Sequence, residues 1–214
     1  MSVLELQLAS LGAVPFGREV LLPLLATYKR PNDKIAEWLK QGVLVALKRG
    51  LYVVGTPWRR GSLSLPLLAN RLYGPSCVSL DYALSLHGLI PERVHELTSV
   101  CMRRGRVVDS ALGRFTYTRL PSPLYPLGIR QEVVSHDVAY LVAGPEKALC
   151  DKVFLTPKLQ AMGRAAMRAF LFEDLRIEPA SLANFDLDVV RRYVALGGKP
   201  RQMQALLGVL EELA

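Results

Sequence analysis

Apolar residues fall at helical spacing in the first part of the chain and at strand spacing soon after. Leu4, Leu8 and Leu11, followed by Gly12, predict a first short helix. A second helical segment is predicted between Arg18 and Thr27, with Val20, Leu21, Leu24 and Leu25 on its apolar side. Pro23 lies inside that segment, where proline removes a hydrogen bond and clashes with the preceding turn. The helix therefore either begins near Pro23 or kinks there. Pro31-Asn32-Asp33 then predicts a clear helix start. Proline holds Arg30 extended, Asn32 can cap free amides, and Asp33 suits the positive end of the dipole. Ile35, Trp38 and Leu39, with Gly42 one step on, form the inward stripe and leave Lys34, Glu37, Lys40 and Gln41 facing out. Gly42 ends the helix as a positive-φ residue.

Val43 to Leu47 and Leu51 to Val54 are β-rich runs separated by Lys48-Arg49-Gly50, which predicts a hairpin with a three-residue basic tip. Three helices followed by a hairpin is the order of a winged helix-turn-helix. The same pattern also describes a small α+β unit with a solvated hairpin.

Beyond a connector, Gly55 to Gly61, a helix is predicted from Leu63 to Tyr73, closed by Gly74-Pro75, and another from Leu80 to Leu86 with Ser79 as its N-cap and Gly88 as its stop. From Leu97 to Val142 the texture is that of short strands: Leu97 to Cys101, Phe115 to Arg119, Ile129 to Val134 and Val138 to Val142. Turn signals at Arg104-Gly105, Leu112-Gly113 and Ser135-His136-Asp137 separate them. A mainly antiparallel sheet is expected. A helix opening at Gly144-Pro145 carries Ala148, Leu149, Val153 and Phe154, and further helices are predicted near Gln160 to Glu173, Leu187 to Ala195 and Arg201 to Leu213. The fold class expected is α+β: an N-terminal winged helix-turn-helix over residues 1–57, then a larger mixed α+β domain over 62–214 with C-terminal helices.

Charge adds a partner to this picture. The chain of 214 residues carries a net +8, and its first 60 residues hold nine basic against four acidic groups. Such an excess at one end is the footprint of a polyanion-binding surface, although it also describes a solvated basic face. The candidates follow from position. Asn32, Lys34, Lys40 and Gln41 on the third helix suit the major groove, Lys29 and Arg30 suit flanking phosphates, and Lys48 and Arg49 suit backbone or an A·T-rich minor groove. Trp38 shares a face with Ile35 and Leu39 and is read as core.

The remaining residues argue against an enzyme. Cys77, Cys101 and Cys150 are odd in number, widely spaced and isolated from histidine pairs, which suggests neither a zinc site nor disulfides but small buried hydrophobes in a reducing cytoplasm. His87, His95 and His136 have no nucleophile nearby, and no phosphate-cradling glycine loop occurs. Glu146, Lys147, Asp151 and Lys152 share one helix, where capping and ion pairs explain them better than a metal-dependent nuclease does. No catalytic residue, metal or cofactor is expected. Nor is a membrane segment, because no apolar run is long enough to span a bilayer and the start lacks signal-peptide features.

Three motifs resemble the AbiEi-type antitoxins of bacterial abortive-infection operons. They are Tyr28 to Ile35 with Leu47 to Val53; Asn70 to Ser76 through Val78-Ser79-Leu80, Ala83-Leu84 and His87 to Glu92; and Pro145 to Asp151. They run in the family's order over roughly two thirds of the chain, from about Phe16 to Leu155. The resemblance implies an N-terminal winged helix that represses its own operon by binding double-stranded operator DNA. It also implies a C-terminal domain that counters a nucleotidyltransferase-like toxin encoded next door, in a type IV system where the two proteins need not form a stable complex. Pro23 and the loop around Trp58 depart from the family pattern, and the last sixty residues match none of its motifs. A stand-alone regulator with a sensing or dimerisation domain is the alternative.

Overall fold

The computed structural model describes residues 3–136 and 138–214, with side chains from Leu6 onward. Leu4 of the first predicted stripe and Asp137 of the predicted turn therefore lie outside the described side chains and residues respectively. The chain folds as an α+β protein around two sheets, one of three strands and one of six.

The first 54 residues run α1 (Val3–Ser10), β1 (Phe16–Gly17), α2 (Arg18–Leu24), α3 (Pro31–Lys40), β2 (Leu44–Lys48) and β3 (Leu51–Val54). Both pairings in the small sheet are antiparallel, with β3 between β1 and β2. Pro23 sits in the last turn of α2, where its missing N–H affects only one intrahelical bond. The start of α3 differs from expectation. Pro31 occupies the first turn, Arg30 is the N-cap without a side-chain bond, and Asn32 lies inside the helix, so it caps nothing. Gly42 follows the helix at φ 72°, as its position predicts.

Leu8, Phe16, Leu21, Leu25, Ile35, Trp38, Val43, Leu44 and Val54 form a small core between the helices and one face of the small sheet. The opposite sheet face is also covered. Leu47 and Val53 are buried in the large core, and Val45 and Leu51 pack against it. A register shift between Ala46 and Lys48 produces this arrangement, since it sets Lys48 opposite Leu51 instead of leaving it on the face of Ala46 and Tyr52. Lys48 is thereby a strand residue, and the tip narrows to Arg49-Gly50.

The larger part contains α4 (Leu65–Leu72), β4 (Ser76–Val78), α5 (Leu80–Leu86), β5 (Leu97–Cys101), β6 (Arg106–Ser110), β7 (Gly113–Arg119), β8 (Ile129–Ser135), β9 (Val138–Ala143) and α6 (Pro145–Leu155). It continues through α7 (Arg164–Ala169), a π-helical turn (Phe170–Asp174), a 3-10 turn (Pro179–Leu182), α8 (Leu187–Ala195) and α9 (Pro200–Leu213). Its sheet has the order β6-β7-β5-β4-β9-β8. Three of its five pairings, β4 with β5, β6 with β7 and β8 with β9, are antiparallel, but the other two depart from the expectation of a mainly antiparallel sheet. β4 with β9 and β5 with β7 run parallel, because neither pair is joined by a tight hairpin: the chain passes through α5 and β5–β8 between the first two and through β6 between the second two. The sheet is mixed.

α6 departs from a one-sided amphipathic helix. It is buried from Glu146 through Asp151, enclosed by α5, α8, α9 and β9. Among the described residues, no helix is long and apolar enough to cross a membrane.

Candidate nucleic-acid interface

α3 is pinned by Ile35 and Trp38, the latter only 4% exposed, and this orientation turns its polar positions outward. Those positions are not equivalent. Lys34 is half-buried, lies 6.0 Å and 5.8 Å from the ring centres of Tyr28 and Trp38, and pairs with Glu37 at 2.9 Å. Gln41 donates to the same Glu37 carboxylate at 2.9 Å. The hydrogen bond from Lys34, with smaller contributions from its charge and from Gln41, holds the Glu37 carboxyl below its ordinary pKa. Lys34 is thus a neutralised, packing cation. Asn32 Oδ1 accepts from Arg18 Nη2 at 2.6 Å, tying α3 to the start of α2. Arg30 forms an exposed pair with Asp33 at 3.4 Å, a type of contact that water and salt weaken readily.

Lys29, Lys40 and Arg49 are different again. All three are exposed, and among the described residues none of their side chains has a hydrogen-bond or ion-pair partner. Each can meet an external anion without first breaking a contact.

Lys48, expected beside Arg49 at the hairpin tip, instead donates to the carbonyls of Leu72 (2.7 Å) and Arg71 (3.2 Å). These are the last residues of α4, so the ammonium satisfies carbonyls that the helix leaves open at the negative end of its dipole. Burial, and then the nearby Arg106 charge, lowers the Lys48 pKa. The sequence reading therefore misses the hairpin's attachment to α4. It also misses Arg71, which lines a cleft with Lys48 and Arg49, and Arg106, whose guanidinium lies 5.9 Å from the Tyr73 ring centre. The clustering of Arg103, Arg104 and Arg106 is visible in the sequence, but its proximity to the hairpin depends on strand β6, which the sequence reading does not assign.

A second polar constellation is entirely internal. Lys147 and Asp151 on α6 are fully buried and pair at 3.2 Å. Lys147 Nζ also donates to Tyr193 Oη at 3.0 Å and to the Leu124 carbonyl at 3.4 Å. Asp151 accepts from Tyr193 Oη at 2.6 Å and from Ser79 Oγ at 2.7 Å. Ser79 occupies the predicted N-cap position of α5, but its hydroxyl reaches across to α6 and makes no cap bond. Burial raises the Asp151 carboxyl above its ordinary range, against the opposing pull of Lys147 and the two hydroxyls. Glu146 points the other way, pairing with Arg130 at 3.1 Å and accepting from the Asp186 amide at 3.2 Å. A closed, satisfied network of this kind joins α5, α6, α8 and the loop after β7. Its side chains, Ser79, Lys147, Asp151 and Tyr193, are all buried. Among the described residues, no group of three His, Cys, Asp or Glu side chains could hold a metal ion.

No protein-family model matches the chain, and no curated protein matches it. Among solved structures, it is similar to the crystal structure of RV2827C protein from Mycobacterium tuberculosis. The TM-score is 0.55 at 18% sequence identity, with 98% of this chain and 82% of that chain covered, a likeness of fold alone.

Proposed function

We propose that this protein is a DNA-binding transcriptional autorepressor, and that its larger part is the antitoxin to a nucleotidyltransferase-like toxin. In this reading the N-terminal part is a winged helix-turn-helix. The order helix, strand, helix, helix, strand, strand, with the first strand laid against the third, supports that assignment. The observation that carries the DNA reading is the set of unpartnered cations Lys29, Lys40 and Arg49. Lys29 and Lys40 stand at the two ends of a helix whose inner face is held by Ile35 and Trp38, and Arg49 stands at the hairpin tip. Lys40, with Asn32 and Gln41 once they exchange their internal partners, would read the major groove. Lys29 and Arg30 would meet the flanking backbone, and Arg49 would serve as the wing. Lys34 and Lys48 then support the surface through their contacts to Glu37 and to the end of α4. The antitoxin half rests on the three motifs that resemble the AbiEi family.

A salt-titrated gel shift on the DNA preceding the protein's own reading frame tests the first half. Lys40→Ala with Arg49→Ala should weaken binding and lower the salt slope by about two, at about 0.9 for each phosphate no longer neutralised. Unchanged affinity and slope would remove this surface from the proposal. Co-expression with the neighbouring reading frame tests the second half. Rescue of growth from a nucleotidyltransferase-like neighbour is expected, and its absence would reduce the protein to a regulator with a sensing or dimerisation domain.

A further inference from the structure

The basic surface does not stop at the hairpin. Arg49 at its tip is followed in space by Lys48, which is hydrogen-bonded to the end of α4. Arg71, in the last turn of that helix, lines the same cleft, where Glu19 is the sole lining carboxylate among the described residues. Tyr73, directly beyond α4, donates through its hydroxyl to the Arg104 carbonyl at 3.0 Å and lies beneath the Arg106 guanidinium. Arg104 and Arg106 are exposed, on the turn before β6 and at the start of that edge strand. Asp109, the acidic residue of β6, sits at its far end and is engaged by Arg114. A ridge of cations therefore runs from the hairpin onto the larger part of the protein. It is held in register by two contacts, Lys48 to α4 and Tyr73 to the β5–β6 turn.

We infer that the larger part contributes a second DNA-backbone contact through Arg71, Arg104 and Arg106, so that a single duplex bridges both parts of the chain. This rests on the DNA-binding reading above. Physically, phosphates require only cations at accessible positions, and a rigid connection lets the additional ones act without further ordering of a linker. The three arginines should thus add affinity that is independent of sequence and strongly dependent on salt, lengthening the protected stretch of duplex on the hairpin side.

The experiment measures binding of the full chain to an arbitrary-sequence duplex of about 30 base pairs by fluorescence anisotropy across a salt series. Three variants accompany the wild type: Arg71→Ala/Arg104→Ala/Arg106→Ala, the same positions changed to lysine, and Lys40→Ala/Arg49→Ala. Thermal unfolding first verifies that each is folded, which exposed positions favour. A fall in slope of two to three for the triple alanine variant, at about 0.9 per charge, with recovery in the lysine variant, supports the inference. If the triple alanine variant matches wild type while Lys40→Ala/Arg49→Ala loses slope, the second contact is overturned and the DNA reading stands. If the lysine variant fails as alanine does, charge is not the cause and the inference is overturned. If wild type shows no binding even at low salt, both are overturned.

Discussion

Replacing Asp151 by asparagine removes one charge from the sealed network of α6 and keeps the side chain's shape, but it leaves one acceptor oxygen where the carboxylate offers Oδ1 to Tyr193 and Oδ2 to Ser79. What remains is the Lys147 ammonium, fully buried, with no counterion and only neutral partners such as the Tyr193 hydroxyl and the Leu124 carbonyl. Breaking a buried ion pair from one side costs about 3–5 kcal/mol, because the surviving charge stays desolvated without its counterion. That is a large share of the roughly 5–15 kcal/mol by which a domain is stable. For a chain of this size it corresponds to a melting temperature lower by roughly 6–20 °C, at about 2–4 °C per kcal/mol. Urea unfolding at pH 7 should compare wild type, Asp151→Asn, and Asp151→Asn combined with Lys147→Met. The double variant carries no charge in this network and should recover at least about 2 kcal/mol of the loss, as apolar replacements of buried pairs commonly do. A single variant within about 1 kcal/mol of wild type would refute the reasoning, as would a double variant no more stable than the single. Lys147→Met alone adds a test of sign. Its Asp151 would keep a carboxyl pKa raised by burial, so stability should be fullest at acidic pH and fall as pH rises through that raised value.

Two further outcomes follow from particular residues. Gly55→Ala should unfold or severely loosen the hairpin, since a Cβ there would land on the Gly42 carbonyl oxygen, and Gly55 N–H donates to Val43 at 2.7 Å; amide exchange of β2 and β3 no faster than wild type would contradict this. At alkaline pH the buried Cys77 thiol should weaken the fold. Burial pushes its pKa from 9.0 up to about 12, so the unfolded chain releases this proton first and stability falls as pH climbs from 9 toward 12. Cys77→Val should lose about 1 kcal/mol less than wild type between pH 9 and 10, and equal losses would show that Cys77 is not the source.

Much of the architecture could be read from residue order because it depends on local chemistry. The stripe of Ile35 and Trp38, the Pro31 start and Gly42 stop of α3, the Gly144-Pro145 opening of α6, the alternation of β7 and the β-rich runs of β5 and β9 each express a period or a residue preference within a few residues. β1, with two residues, and β4, with three, are too short to display a period, and β6 begins directly after a basic turn that masks it. The parallel pairings of β4 with β9 and β5 with β7 join segments whose order in space no local pattern encodes.

For the candidate surface, sequence by itself determined which residues carry charge and which helix and hairpin would present them. Tertiary structure decided which charges remain available. Glu37 neutralises Lys34, a one-residue shift in register carries Lys48 away from the tip and onto the end of α4, and Tyr73 brings Arg104 and Arg106 alongside. The same division holds in the interior. Sequence placed Lys147 and Asp151 four apart on one helix among residues open to ion pairing, but their pairing, and the Ser79 and Tyr193 contacts that complete the network, form only once the core has excluded water and left each polar group to find a partner.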